Sequence, residues 1–230
     1  MIAKPNDLSS NREAHQTHAP SSRKQVPNPD RPGRVSLVTK HVSEELFQLQ
    51  LEQLRHDEIY PREISRLTVH QRLNHMALHF SKYAGQIAEI CHAADEERLQ
   101  RTITDIFVIG LSSANTLNMR VADQIGECKK AYVRDLSELG AVLAKRGDVE
   151  NFDSLWFLKA LAISSGRMAK ACESIDHLEP FPFNERIKES VVEICETVLI
   201  AASLRDLDLA SAVRARLAGV KERLIFHGHL

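Results

Sequence analysis

The chain has little glycine and few aromatic residues, and it lacks any run of alternating β-branched residues long enough for a strand. Of its 230 residues, nine are glycine and 5% are aromatic. Low glycine together with abundant Ala, Leu, Glu, Arg and Ile is typical of helical proteins. These absences predict an all-α fold.

Three further absences limit the class of protein. The four cysteines form no C-x-x-C pair, which favours reduced thiols and a cytoplasmic location over a disulfide framework. No apolar run reaches the roughly 18 residues of a membrane span, and the polar N-terminus shows no secretory signal. The formal net charge of −1 does not point to nucleic acid or an anionic membrane as a partner.

The first 34 residues differ in composition from the rest. They hold five prolines and many Ser, Asn, Lys and Arg residues, without apolar periodicity. Such a segment is predicted to be a disordered, solvated arm. Residues 35–230 are then long enough for one helical domain of ordinary size.

Apolar residues recur at helical spacing through most of that domain. Ser43, Thr68 and either Asp153 or Ser154 are predicted to cap helix N-termini. The predicted helices are 43–56, 68–92, 97–117, 154–175, 185–204 and 210–224, with one or two more in 119–145.

Two pairs of these predicted helices are similar in sequence to each other. Gly85 and Cys91 recur 81 positions later as Gly166 and Cys172, and other residues recur after 88 positions. The 88-position pairs are Asp105 with Glu193, Ile106 with Ile194, Leu111 with Leu199, Ala114 with Ala202 and Ala122 with Ala210. We therefore predict two copies of one helix–loop–helix unit, at about 68–122 and 154–210, which share one core and are related by an approximate two-fold axis.

Polar residues form one narrow stripe on the first long helix, because their spacings alternate between three and four. The stripe consists of His75, His79, Lys82, Gln86 and Glu89. On the next helix, Asp105, Ser112 and Thr116 form a similar line within an apolar segment. A carboxylate beside so much apolar surface needs a partner, so Asp105 is a candidate site residue.

The segment HMALHFSKYAGQIAE (75–89), followed by TDIFVIGLSSANTLN (104–118), resembles the MazG-like all-α nucleoside triphosphate pyrophosphohydrolases. Their helices carry patterns such as E-x-G-E-L-A-E and E-x-x-D followed by L-A-N. The resemblance implies carboxylates that hold Mg²⁺, which binds the substrate's phosphates and activates water. It covers about 45 residues in the first copy and another 50 more weakly in the second.

Most of the family's metal-binding carboxylates are replaced in this chain. In the first copy only Glu89 and Asp105 match, while Tyr83, Gln86 and Thr102 occupy the other ligand positions. In the second copy Ser164 and Arg167 occupy the first-helix positions, and the second helix keeps Glu189 and Glu193. The metal ligands, if there are any, would be Glu89, Asp105 and Glu193.

Three interpretations of the stripe remain open. A side-chain cation could replace the metal, with Lys82 pairing with Asp105, and Lys170 or Arg167 pairing with Glu193 or Glu189. The stripe could instead be a solvated face. It could also be a residual phosphate site that uses Lys82 and the histidines.

Two further sets of residues have alternative roles. His75 and His79 share a face, as zinc ligands often do, or form an ordinary exposed or hydrogen-bonded pair. Asn115 and Ser203 lie near helix ends, where they would contact a nucleotide or form capping and interhelical bonds.

The leading functional hypothesis is a divergent MazG-like pseudoenzyme that serves as a nucleotide-related or protein-interaction module. One alternative is an active Mg²⁺-dependent pyrophosphohydrolase with a rearranged site, and the other is a helical scaffold without a ligand. Magnesium is expected only if the protein is active. The expected partners are a nucleotide or, through the helical faces, a second copy of the chain.

Overall fold

A computed structural model of the chain describes residues 41–59, 64, 66–93 and 95–222. The predicted arm at 1–34 lies outside these residues. The described part contains helices and no strand, so the all-α prediction is confirmed. The helices are α1 (Val42–Ile59), α2 (Val69–Ala93), α3 (Glu96–Thr116), α4 (Val121–Gln124), α5 (Leu136–Arg146), α6 (Ser154–Asp176), α7 (Phe183–Leu204) and α8 (Leu209–Glu222), with a 3₁₀ turn at Gly126–Lys129.

The helix starts follow local capping chemistry. Thr68 forms a capping box with Gln71, because the Thr68 Oγ1 accepts from the Gln71 N–H and the Gln71 Oε1 accepts from the Thr68 N–H. Asp153 accepts from the N–H groups of Leu155 and Trp156, as predicted. The prediction for Ser43 is wrong. The first helix begins at Val42, and the Ser43 N–H donates to the Nδ1 atom of His41.

Four helices end in the same way. The residue after each C-cap has a positive φ, at Asn118, Asp148, Leu178 and Asp206. In each case the next N–H bonds to a carbonyl five residues earlier, as Met119 does to Ala114 and Leu207 does to Ala202. This is the Schellman arrangement, which satisfies the last carbonyls of a helix and turns the chain sharply.

The four long helices pack in a ring. The consecutive helices α2 and α3 pack together, as do α6 and α7, and between these pairs α2 packs on α6 and α3 on α7. The shorter α1 packs on α3, and α5 packs on α7. Phe80, Phe107 and Phe157 are among the largest fully buried side chains. Each such burial stabilises the fold by about 1.5–3 kcal/mol.

The last helix, α8, packs across the first half of the molecule. It contacts α1 and α3 and, less extensively, α5. Val213 is fully buried and Leu217 nearly so, which leaves Arg216 on the flank of the contact. Among the described helices, none combines the length and the apolarity needed to cross a membrane.

Close approach of α5 to α7 depends on Gly140. A Cβ at this position would lie 2.6 Å from the Cβ of Ser203 and closer still to the carbonyl oxygen of Leu199. A backbone carbonyl in a packed helix cannot move aside without shifting α7. Gly85 and Gly166 are also within helices, but a Cβ there would meet no atom within 4 Å.

We therefore predict that Gly140→Ala lowers the free energy of unfolding by about 3 kcal/mol, because it forces α5 away from α7. Gly85→Ala is the matched control, and it should leave stability unchanged or raise it by up to about 1 kcal/mol. Urea denaturation of the two variants measures both values. Equal stability of the two variants would contradict the packing described for Gly140.

Candidate functional site

A cavity of about 240 Å³ lies between α1, α2, α3 and α8. Apolar side chains such as Met76, Val108 and Ile109 form part of its wall. Its polar lining includes Gln53, Asp57, His75, His79, Tyr83, Asp105, Ser112 and Arg216. The cavity thus brings the predicted candidates His75, His79 and Asp105 together with polar residues from the two ends of the described chain.

The partner of Asp105 is Arg216, from α8. The Arg216 Nε donates to Oδ1 at 2.5 Å, and Nη2 donates to Oδ2 at 3.2 Å. Both side chains are mostly buried, at 16% exposed for Asp105 and 28% for Arg216. These hydrogen bonds raise the pKa of Arg216 above its ordinary value. A side-chain cation therefore does accompany this carboxylate, but it is Arg216 rather than the predicted Lys82.

Lys82 instead begins a chain of hydrogen bonds along α2. Its Nζ donates to the Nδ1 of His79 at 3.1 Å, and the Nε2 of His79 lies 3.0 Å from the Nε2 of His75. Because the Nδ1 of His79 accepts from an ammonium group, its Nε2 carries the proton and donates to His75. The two histidines are thus a hydrogen-bonded pair, one of the alternatives for the H-x-x-x-H spacing.

Burial and the neighbouring ammonium group of Lys82 keep His79 neutral. Its pKa is lowered from 6.5 to about 4, first by burial and then by the neighbouring Lys82 and His75, with Asp105 acting in the opposite direction. Burial also lowers the pKa of Lys82 and raises that of Tyr83. The Lys82 Nζ lies 4.1 Å from the centroid of the Tyr83 ring, a cation–π contact.

The α1 side of the cavity carries an acceptor and a donor one helical turn apart. Asp57 accepts a hydrogen bond from the Ser112 hydroxyl at 2.6 Å. Gln53 is fully buried, and its Oε1 accepts from the Nδ2 of Asn115 at 2.7 Å. Its Nε2 has no hydrogen-bond partner among the described residues. A buried amide donor without a partner costs about 1–3 kcal/mol.

Asn115 holds α1 against the end of α3. Besides Gln53, its Nδ2 donates to the Gln50 carbonyl oxygen, and its Oδ1 accepts from the Nε2 of Gln50. Gln50 also bonds to the carbonyl of Met119 and the N–H of Val121. Asn115 therefore makes interhelical bonds, one of its two predicted roles, and these bonds fix the position of Gln53.

In the second half, Arg167 pairs with Glu193. The Arg167 Nη1 lies 2.9 Å from one carboxylate oxygen and 3.0 Å from the other, and the Ser164 hydroxyl donates to the same group at 2.7 Å. Lys170 bonds to Glu173 and Glu179 instead. Glu189 bonds to Arg186. Of the cation pairings predicted here, the structure shows the one between Arg167 and Glu193.

The remaining candidates lie away from the cavity. Glu89 forms an ion pair with Arg98 on the surface, and Gln86 is partly buried on α2 without lining the cavity. Ser203 donates to the carbonyl of Ser137 on α5. The stripe on α2 is thus divided, because His75 and His79 line the cavity whereas Gln86 and Glu89 do not.

The residues present do not fit a magnesium ion held as in the MazG-like resemblance. Both oxygens of Asp105 accept from Arg216, and Tyr83 and Thr102 supply no carboxylate beside it. The Thr102 hydroxyl donates to the carbonyl of Arg98 within its own helix. In the part of the chain that the structure describes, no three His, Cys, Asp or Glu side chains converge to hold a metal.

Three polar residues of the cavity were not predicted from the sequence: Gln53, Asp57 and Arg216. A weak signal existed for the first two, because the spacing of four places them on one face of α1. Arg216 carried no such signal, since only tertiary packing brings α8 over α3.

Comparison with known proteins gives no match: no protein-family model, no curated protein and no solved structure matches this chain.

We predict that Arg216→Met lowers the free energy of unfolding by about 2 kcal/mol, because it leaves Asp105 largely buried without its cation. The double variant Arg216→Met/Asp105→Leu should recover most of that loss, since an apolar pair of similar volume needs no compensation. Lys82→Met should cost less than about 0.5 kcal/mol. Denaturant melts of the wild type, Arg216→Met, Asp105→Leu, the double variant and Lys82→Met measure these values, and additive effects of the two substitutions at 105 and 216 would disprove the pairing.

A second prediction concerns acid stability. The pKa of His79 is about 4 in the folded protein, against 6.5 for an unperturbed histidine, so the unfolded chain binds this proton more readily. Stability is therefore lost as pH falls from about 6.5 towards 4. His79→Gln should lose less melting temperature between about pH 7 and pH 5 than the wild type does. His177→Gln, at an exposed histidine, is the control and should behave as the wild type.

Proposed function

We propose that this protein is a divergent, tandem-duplicated MazG-like protein that has lost metal-dependent hydrolysis and acts as a non-hydrolytic binding module. One observation carries the proposal. Asp105 and Glu193, which the 88-residue offset makes equivalent, each accept hydrogen bonds from an arginine, Arg216 and Arg167 respectively. A guanidinium takes the position that a metal would need at each carboxylate.

Structural features at other equivalent positions support the duplication. The hydroxyls of Thr102 and Ser190, 88 residues apart, are both buried and both bond to the carbonyl four residues earlier. Asn118 and Asp206, with the same offset, both have a positive φ after a helix. A duplicated unit would produce this repetition in α3 and α7 without further assumptions.

A third equivalent pair extends the unit towards its N-terminus. Asn115 bonds to the Gln50 carbonyl on α1, and Ser203 bonds to the Ser137 carbonyl on α5. Each tethers the preceding short helix to the C-terminal end of a long one. We infer that the ancestral unit had three helices, corresponding to α1–α3 and α5–α7.

Loss of catalysis follows from the chemistry of the carboxylates. Magnesium binds through carboxylate oxygens and keeps strict octahedral geometry at about 2.0–2.1 Å. Asp105 has both oxygens engaged by Arg216, and its neighbours offer hydroxyl groups instead of charges. A cation entering here would have to displace Arg216 from a mostly buried pair, so binding should be weak.

The test is a hydrolysis screen of standard and damaged nucleoside triphosphates with Mg²⁺ or Mn²⁺, together with calorimetric titration of both metals. We expect no pyrophosphate release above a protein-free blank and no submillimolar metal binding. Metal-dependent release that disappears in Asp105→Asn, but persists in the control Glu150→Gln at an exposed residue, would overturn the proposal. That result would establish the alternative of an active pyrophosphohydrolase.

A further inference from the structure

The cavity between α1, α2, α3 and α8 is lined by a carboxylate whose charge no lysine or arginine balances. The Oδ2 of Asp57 accepts from the Ser112 hydroxyl at 2.6 Å, and its Oδ1 lies 3.4 Å from the Nδ1 of His56. Asp57 forms no ion pair with a lysine or an arginine among the described residues. Its side chain is 22% exposed, so a ligand in the cavity can reach it.

Other carboxylates of similar exposure have a guanidinium as partner. Asp105, Glu127 and Glu196 are 16%, 10% and 18% exposed, and each of them pairs with an arginine. A carboxylate that is mostly removed from water needs such a counter-charge, because desolvation disfavours its charged form. Asp57 would therefore gain from a cation that comes from outside the chain.

The walls of the cavity suit the apolar part of a small ligand. Val108 and Ile109 of α3 and Val220 of α8 line it, and all three are partly exposed. Its volume of about 240 Å³ is below the roughly 300–1,000 Å³ of pockets for drug-sized ligands, so a single ring or a short alkyl chain would fill it. An inorganic cation could balance the charge of Asp57, but it would leave these apolar walls uncovered.

The other polar groups of the lining disfavour an anion or a divalent metal ion. Asp105 carries a second negative charge, and its two oxygens engage the guanidinium of Arg216. His79 is neutral, because its pKa is about 4. A metal ion would need three or more ligands, and no three His, Cys, Asp or Glu side chains of the described residues converge on one point. An organic ammonium group is the cation that matches both the charge and the walls.

We propose that this cavity binds a small organic amine as its ammonium ion, with the N–H groups donating to the Asp57 carboxylate and the hydrocarbon part lying against Val108, Ile109 and Val220. The inference rests on the proposed function, because it names the ligand class of a non-hydrolytic binding module. It differs from the MazG-like resemblance, which implies an anionic, metal-bound triphosphate as the ligand.

The experiment titrates the full chain by calorimetry with 2-phenylethylamine and hexylamine at about pH 8, where alkylamines are charged and imidazoles are mostly neutral. 2-Phenylethanol is the matched probe without a charge, and 3-phenylpropionate is the probe of opposite charge. We expect saturable binding of at least one amine at one site per chain. Binding of 2-phenylethanol should be weaker by about tenfold or more, and 3-phenylpropionate should not bind.

Matched variants locate the site. Asp57→Asn should weaken amine binding by about tenfold or more, because the ammonium loses its counter-charge while the amide oxygen still accepts from the Ser112 hydroxyl. Glu58→Gln removes the same charge from the next residue, which is exposed and does not line the cavity, and it should bind as the wild type does. Val108→Phe should also weaken binding, because the larger side chain occupies part of the cavity. Denaturant melts check that each variant is folded, and if one is not, the comparison of 2-phenylethylamine with 2-phenylethanol on the wild type decides.

Absence of saturable binding of both amines, equal binding of 2-phenylethanol, or unchanged amine binding in Asp57→Asn would each overturn this inference. The hydrolysis screen is an independent readout. A protein that neither hydrolyses nucleotides nor binds amines would leave the proposed loss of catalysis standing while rejecting the ligand class. A protein that hydrolyses a triphosphate with a metal, yet binds an amine through Asp57, would reject the loss of catalysis and keep the amine site.

Discussion

The guanidinium of Arg216 holds both oxygens of Asp105, and the position of α8 over α1 and α3 makes this bond possible. Three properties of the molecule depend on it. The helix closes one side of the cavity through Arg216, Leu217 and Val220. The carboxylate is compensated without a metal. The charge of Asp105 also acts on two neighbouring rings, because it raises the pKa values of His79 and Tyr83.

Asp105 and Glu193 each pair with an arginine, but the two pairs lie in different surroundings. Asp105 is 16% exposed and its arginine comes from a distant helix, whereas Glu193 is 41% exposed and its arginine, Arg167, lies on the adjacent α6. Only a partly buried pair gains much from its geometry, since exposed pairs contribute about 0–1 kcal/mol. The pair between Asp105 and Arg216 therefore contributes more to stability than the pair between Glu193 and Arg167 does.

Helical periodicity predicted a large part of the fold. The bounds of α2, α3, α6 and α7 agree with the predicted segments within two residues, because their apolar faces and several of their caps are local features. The prediction for residues 119–145 was less accurate. One or two amphipathic helices were predicted there, whereas the structure has the short α4, a 3₁₀ turn and α5. The partner of Asp105 was wrongly predicted for a related reason: periodicity shows which residues share a face, but not which distant helix covers it. Arg216 lies 111 residues from Asp105, beyond the reach of any local rule.

The arrangement around Gln53 explains why a donor without a partner among the described residues can persist in the core. Asn115 holds the Oε1 of Gln53 and the backbone of Gln50, and Gln50 in turn bonds to Met119 and Val121. The amide of Gln53 therefore cannot rotate to satisfy its Nε2 without giving up the bond at Oε1. The cost of the unpaired N–H is offset by a network that fixes α1 on α3.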